Sequence, residues 1–132
     1  MSVKNMEHEC HIISFGYDPN LMSSRTLLLQ HAGFTVEEAY SPAEVLGLVR
    51  NDSVDLVVVC HTVPLKEEEQ LIAALRDVRQ LLPVICIAAS EYEVGKDVRT
   101  DCVNVQNSPI PLINAVRSIM IRDTLGRNSK AS

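Results

Sequence analysis

Between polar ends, short apolar runs alternate with stretches of helical periodicity. His11 to Phe15 (HIISF) is a candidate first strand. Asp18-Pro19-Asn20 then opens a helix in which Leu21, Ser24, Leu28 and Ala32 recur at helical spacing, a pattern that predicts an inward stripe. Gly33 stands where a C-terminal cap belongs. Phe34 to Tyr40 (FTVEEAY) mixes polar and apolar residues, as an edge strand does. Ser41-Pro42-Ala43-Glu44 is a capping box with proline at the first helical position. It predicts a helix with Val45, Leu48 and Val49 inward, ending at Asn51-Asp52.

The second half repeats the alternation. Asp55 to Cys60 (DLVVVC) is a continuous apolar run, which suits a central parallel strand buried on both faces. Lys66 to Leu82 reads as a helix with Leu71, Leu75, Val78 and Leu82 on its stripe. Glu67, Glu68 and Glu69 fall at its favourable positive end, a solvated helix start. Pro83 is its expected stop, and Val84 to Ala89 (VICIAA) the next strand. The stretch from Ser90 to Asp101 shows no stripe and is interrupted by Gly95. Cys102 to Val105 is the candidate fifth strand, and Pro111 the expected start of a last helix with Leu112, Val116, Ile119 and Met120 inward. Residues 1–8 and 126–132 read as loose tails around a domain spanning 9–125.

A βα unit repeated in this way implies an α/β fold, a parallel sheet joined by right-handed crossovers with helices on both faces. Such folds place their sites outside the carboxyl ends of the strands. The positions to inspect are therefore Gly16 to Asp18, Cys60 to Thr62, Ala88 to Ser90 and Gln106 to Pro109.

Composition narrows the function. A chain of 132 residues, 46% hydrophobic and 22% charged, is an ordinary globular domain with an aliphatic core. Seventeen acids against twelve bases leave a net charge of −5 and argue against nucleic acid as a partner, because phosphate binding needs a cationic face. The bases Arg117, Arg122, Arg127 and Lys130 suit the end of a last helix. No apolar run approaches the roughly 20 residues that span a bilayer, and Met1 to Cys10 is polar. Cys10, Cys60, Cys86 and Cys102 show no CxxC spacing. The expectation is a cytoplasmic protein with reduced thiols.

Several stretches, in their order and spacing, resemble the receiver domain of bacterial two-component response regulators. They are Asp18-Pro19-Asn20-Leu21, Leu27-Leu28-Leu29 with Ala32-Gly33-Phe34-Thr35-Val36, Ser41-Pro42-Ala43-Glu44-Val45-Leu46, Asp55 to Val59, Pro64, and Pro83-Val84-Ile85. The resemblance runs from about Cys10 to Leu125. It implies a flavodoxin-like (βα)5 fold, a doubly wound parallel five-stranded sheet of order 2-1-3-4-5. It also implies phosphoryl transfer to an Asp ending strand three, with Mg²⁺ held by two acids after strand one. A Thr or Ser after strand four and a Lys before a Pro after strand five would complete that site.

Carried over residue by residue, that chemistry is missing. The acid pair falls on Gly16 and Tyr17, and Asp18 takes the following, non-ligand position. The phosphoacceptor falls on Cys60, the Thr/Ser on Ala88, and the Lys on Ser108, which keeps its neighbour Pro109. The aromatic switch falls on Val105, and Thr62 matches a residue that ligates the metal only through its carbonyl. A one-residue slip would put Asp18 in the acid site but break the Asp-Pro-Asn-Leu match and leave Cys60 without an acid.

The resemblance thus implies a degenerate receiver: a signalling module, not an enzyme, with no cofactor and no metal. It would work by contact with another signalling protein (a histidine kinase, response regulator or effector) or in a homodimer. Its contact face would take in the stretch Glu91–Asp101. One rival is a thiol sensor at Cys60, which lacks an evident cation to lower its pKa because Ser108 replaces the Lys; on this reading Cys60 is an inert core filler. Another is a small-molecule binder in the vacated pocket. Tyr17 either plugs that pocket with its ring or lies on the surface, and the plug is the expectation. A third is phosphate acceptance at an unusual group. His8, Cys10 and His11 form a weak metal motif, Cys86 belongs to the core, and Ser90 and Ser108 suit loops or caps rather than nucleophiles.

Overall fold

The computed structural model describes residues 10–51, 53–87, 103–105 and 108–131. Its elements are β1 (His11–Phe15), α1 (Pro19–His31), β2 (Thr35–Ala39), α2 (Pro42–Asn51), β3 (Leu56–Val59), α3 (Leu65–Val78), β4 (Val84–Ile87), β5 (Val103–Val105) and α4 (Pro109–Ala131). The strands form one sheet of order β2-β1-β3-β4-β5, and every pair is parallel. The expected tail 1–8, with Ala88, Ser90, the stretch 91–101, Cys102 and Gln106, lies outside the described residues.

Alternation along each strand divides the core in two. Ile13, Phe15, Val57 and Val59 point to one face and pack with Val45 and Val49 of α2 and Leu71 and Leu75 of α3. Ile12, Leu56, Val58 and Ile85 point to the other, against Met22 and Leu29 of α1 and Leu112, Val116 and Ile119 of α4. β1 and β3 are central and buried on both faces, which explains why their runs carry no polar alternation beyond Ser14. Each fully buried Leu or Ile contributes about 1.5–3 kcal/mol.

Three helix boundaries differ from the periodicity. α3 stops at Val78, not Leu82. Proline disfavours helical backbone in the residue before it, so Pro83 forbids a helix running to Leu82. Leu82 still reaches the core from the connection, its carbonyl accepting from Arg76 Nη1 at 2.6 Å. α4 begins at Pro109 rather than Pro111, and the Ser108 carbonyl accepts from Leu112 N at 3.4 Å. Both prolines fit its first turn, where the N–H groups have no intrahelical acceptor. Its backbone continues to Ala131, through most of the stretch expected to be a tail.

α1 shows the largest correction. Its buried residues are Met22, Arg25 and Leu29, one step round from the stripe Leu21, Ser24, Leu28 and Ala32. Its ends are as the sequence suggests: Asp18 caps the start and Gly33 follows Ala32 with φ of 102°, a conformation glycine adopts without strain. At α2, the Ser41 hydroxyl accepts from Glu44 N at 3.1 Å, while the Glu44 carboxylate accepts from Tyr40 N at 2.6 Å. The box therefore closes one residue earlier than its usual form. Among the described residues no helix is long and apolar enough to cross a membrane.

Candidate functional site

β1 and β3 end side by side, stitched by Cys60 N donating to Phe15 O at 2.8 Å, and Gly16 N ties the end of β1 to β2 by donating to Ala39 O at 3.3 Å. This brings Gly16, Tyr17, Asp18, Cys60 and Thr62 together at the carboxyl edge of the sheet, as the resemblance implies. Their chemistry is not that of an acidic pocket.

Gly16 has no room for a side chain. A Cβ there would stand 2.9 Å from Cys60 Cβ and 3.0 Å from Met22 Sδ. The volume that an acid at this position would need is filled by sulfur-bearing side chains. Cys60 is 2% exposed and its thiol donates toward Met22 Sδ at 3.7 Å. The Ser14 hydroxyl approaches the same sulfur at 3.9 Å. The pocket read as vacated is thus packed by Cys60 and Met22.

Asp18, the one carboxylate nearby in sequence, is committed to the helix. Its Oδ1 accepts from Asn20 N at 3.0 Å and Leu21 N at 3.3 Å, an N-cap. Hard cations need several oxygen ligands. Gly16, Cys60 and a capping Asp18 do not supply that set, and the residues present do not fit Mg²⁺. No cluster of three His, Cys, Asp or Glu residues suited to a metal occurs among the described residues. Of the weak motif at the amino end, His8 lies outside the described residues, Cys10 is buried against Met120 Sδ at 3.3 Å, and His11 binds Ser53 O and Glu37, each at 2.8 Å.

Tyr17 does not plug the site. It is 40% exposed, its ring meets Phe15 edge-on at 5.4 Å, and its hydroxyl donates to Glu67 of α3. Tyr17 N donates to Thr62 Oγ1 at 3.0 Å. Tyr17 therefore straps β1, β3 and α3 across the outside of the site. Partial desolvation and the Glu67 carboxylate push its phenol up to about 12. The acidic start of α3 is accordingly not all solvated, since Glu67 holds Tyr17 and Glu68 is 8% exposed.

A cation does stand near Cys60, contrary to the expectation from Ser108. It is Arg25, 7% exposed on α1, with Nη2 3.4 Å from His61 Nδ1. Two opposed effects act on the thiol. Burial raises its pKa, while the charge of Arg25 and hydrogen bonds from Ser14 and Arg25 lower it. Burial wins and the net direction is upward, so the thiol stays protonated. Sequence reasoning missed Arg25 and Met22; their spacing with Leu29 was the available signal.

Val105 is buried in β5 beside Ile87 of β4, packed as an aliphatic core residue. Ser108 is exposed at the start of α4. Cys86 is buried in β4, as expected. Ala88 lies outside the described residues.

No family model and no curated protein matches the chain. Solved structures do. A response regulator receiver domain from Clostridium thermocellum superposes with TM-score 0.75 at 15% identity, over 88% of this chain and 98% of that one. A CheY-like receiver domain from Methylobacillus flagellatus gives TM-score 0.70 at 16% identity, over 85% and 99%. A response regulator solved in complex with a histidine kinase gives 0.71 at 21%, over 83% and 97%. At these identities the likeness is one of fold: this chain has the CheY-like α/β fold.

Proposed function

We propose that this chain is a receiver-like module of two-component signalling that works without phosphorylation, through contact with another protein. The observation that carries the reading is the closure of the acid site, where Cys60 and Met22 fill the space beside Gly16. A phosphoryl group would find a buried, protonated thiol in place of a carboxylate. It would also find neither a metal ligand set nor, at Ser108, a lysine. Phosphoryl transfer depends on positioned charge, and none of the usual groups supplies it here.

The partner we infer is another signalling protein. The kinase-bound neighbour of the same fold supports this, since that response regulator was solved in complex with a histidine kinase. The same reading makes the module a non-enzyme and places it in the cytoplasm. Incubation with acetyl phosphate and Mg²⁺, followed by intact-mass analysis, tests it: the mass should not change, and a gain of one phosphoryl group refutes it.

A further inference from the structure

Beside the closed site lies an open one. α1 and the start of α4 diverge over the end of β4 and leave a cleft of about 280 Å³. Leu21 and Leu28 form one wall, Leu112 and Pro109 the other, and Ile87 at the end of β4 contributes to the lining between them. Ser24 and Ser108 also line it and are exposed, which puts the mouth on their side. The cleft explains the displaced stripe of α1: Leu21 and Leu28 line it, while Met22 and Leu29 pack into the core beneath.

We propose that this cleft binds a small amphiphilic carboxylate, its chain against the leucines and its head on Arg25. Three observations support an anion with an apolar body. The lining is chiefly aliphatic, which rewards an alkyl or aryl group. Arg25, a permanent cation, is buried in that lining, where a carboxylate makes a charge-assisted pair far stronger than in water. The amino end of α4, positive through its helix dipole, opens at Pro109 on the same cleft. The location also fits, since ligands of open parallel sheets bind beyond the carboxyl ends of strands. At protein packing density the volume holds about ten to twelve non-hydrogen atoms, the size of octanoate. The cleft adjoins the Gly16–Cys60 position through Arg25, whose charge also reaches the Cys60 thiol, but neither Gly16 nor Cys60 lines it.

The test is a ¹⁵N NMR titration of the full chain with octanoate and with 1-octanol, its neutral counterpart. Octanoate should saturate with a Kd on the order of a millimolar, moving the amides of Leu21, Leu28, Ile87 and Leu112. Octanol should bind about tenfold more weakly. Arg25→Met should bring octanoate down to the level of octanol, and Leu28→Trp, which fills the cleft from its partly exposed wall, should abolish both. Should Arg25→Met fail to fold, the octanoate–octanol ratio of the natural chain and Leu28→Trp decide the matter. Absence of saturable shifts, shifts centred elsewhere, equal binding of the two probes, or undiminished binding to Leu28→Trp would each overturn the proposal.

Discussion

A side chain on Gly16 would begin 2.9 Å from Cys60 Cβ, closer than two such carbons approach without displacement. The contact is with the root of the cysteine, not a flexible tip, so rotation cannot relieve it. Gly16→Ala should therefore destabilise the domain by about 1–3 kcal/mol, the usual cost of overpacking. Cys60→Gly in the same chain should recover part of that loss. Urea unfolding of the single and double variants measures both, and an unchanged midpoint for Gly16→Ala would show that the site has room after all.

Cys60 should react slowly with alkylating reagents in the native state. The thiol is buried and its pKa is raised, burial outweighing the lowering by Arg25 and Ser14. The reactive thiolate is therefore scarce at neutral pH. Timed alkylation with mass spectrometry should label Cys60 only after unfolding; labelling faster than a free thiol would restore the redox reading.

Much of this was legible in the sequence and some was not, for physical reasons. The central strands announced themselves because burial on both faces makes runs such as Leu56 to Val59 uniformly apolar. The caps at Asp18 and Ser41 were legible because they act within three residues. The stripe of α1 misled because one of its three buried positions carries Arg25, a residue that hydrophobicity counts against burial. The same arginine reaches His61 from 36 positions away, a proximity that only the fold creates. The identity of Gly16 marked the site as altered, but the reason no side chain fits, Met22 and Cys60 pressed against it, is created only by the fold.

Tyr17 should titrate at high pH and depend on Glu67. Its phenol moves from the ordinary 10.0 up to about 12 in the fold. A raised pKa means that the folded form keeps its proton longer. This contribution to stability is therefore fully present below pH 10 and lost as pH rises from about 10 to about 12. Ultraviolet titration of Glu67→Gln should show the Tyr17 transition shifted back toward 10.0. An unmoved transition would mean that the Tyr17–Glu67 strap does not form in solution.

Asp18 should behave as a helix cap and not as a metal ligand. Its Oδ1 already accepts two backbone N–H groups. Asp18→Ala should cost about 1 kcal/mol, and Asp18→Asn much less. Millimolar Mg²⁺ should leave the melting temperature of all three chains unchanged, because too few oxygens are present to hold the ion. Stabilisation of the natural chain alone by Mg²⁺ would contradict that assignment.

The central claim is that a phosphodonor has nothing to act on. An equilibrium shifts only when a ligand binds its two states differently, and here the acceptor position holds Cys60, the acid positions Gly16 and Tyr17, and the switch position Val105. The most direct measurement is a ¹⁵N NMR spectrum recorded with and without beryllofluoride and Mg²⁺, paired with intact mass after acetyl phosphate. The account predicts superimposable spectra and an unchanged mass, for the natural chain and equally for Cys60→Asp, which restores one acid beside a still-closed Gly16. Saturable shifts clustered at residues 16–18 and 60–62 in the natural chain, or a mass increase of one phosphoryl group, would contradict it.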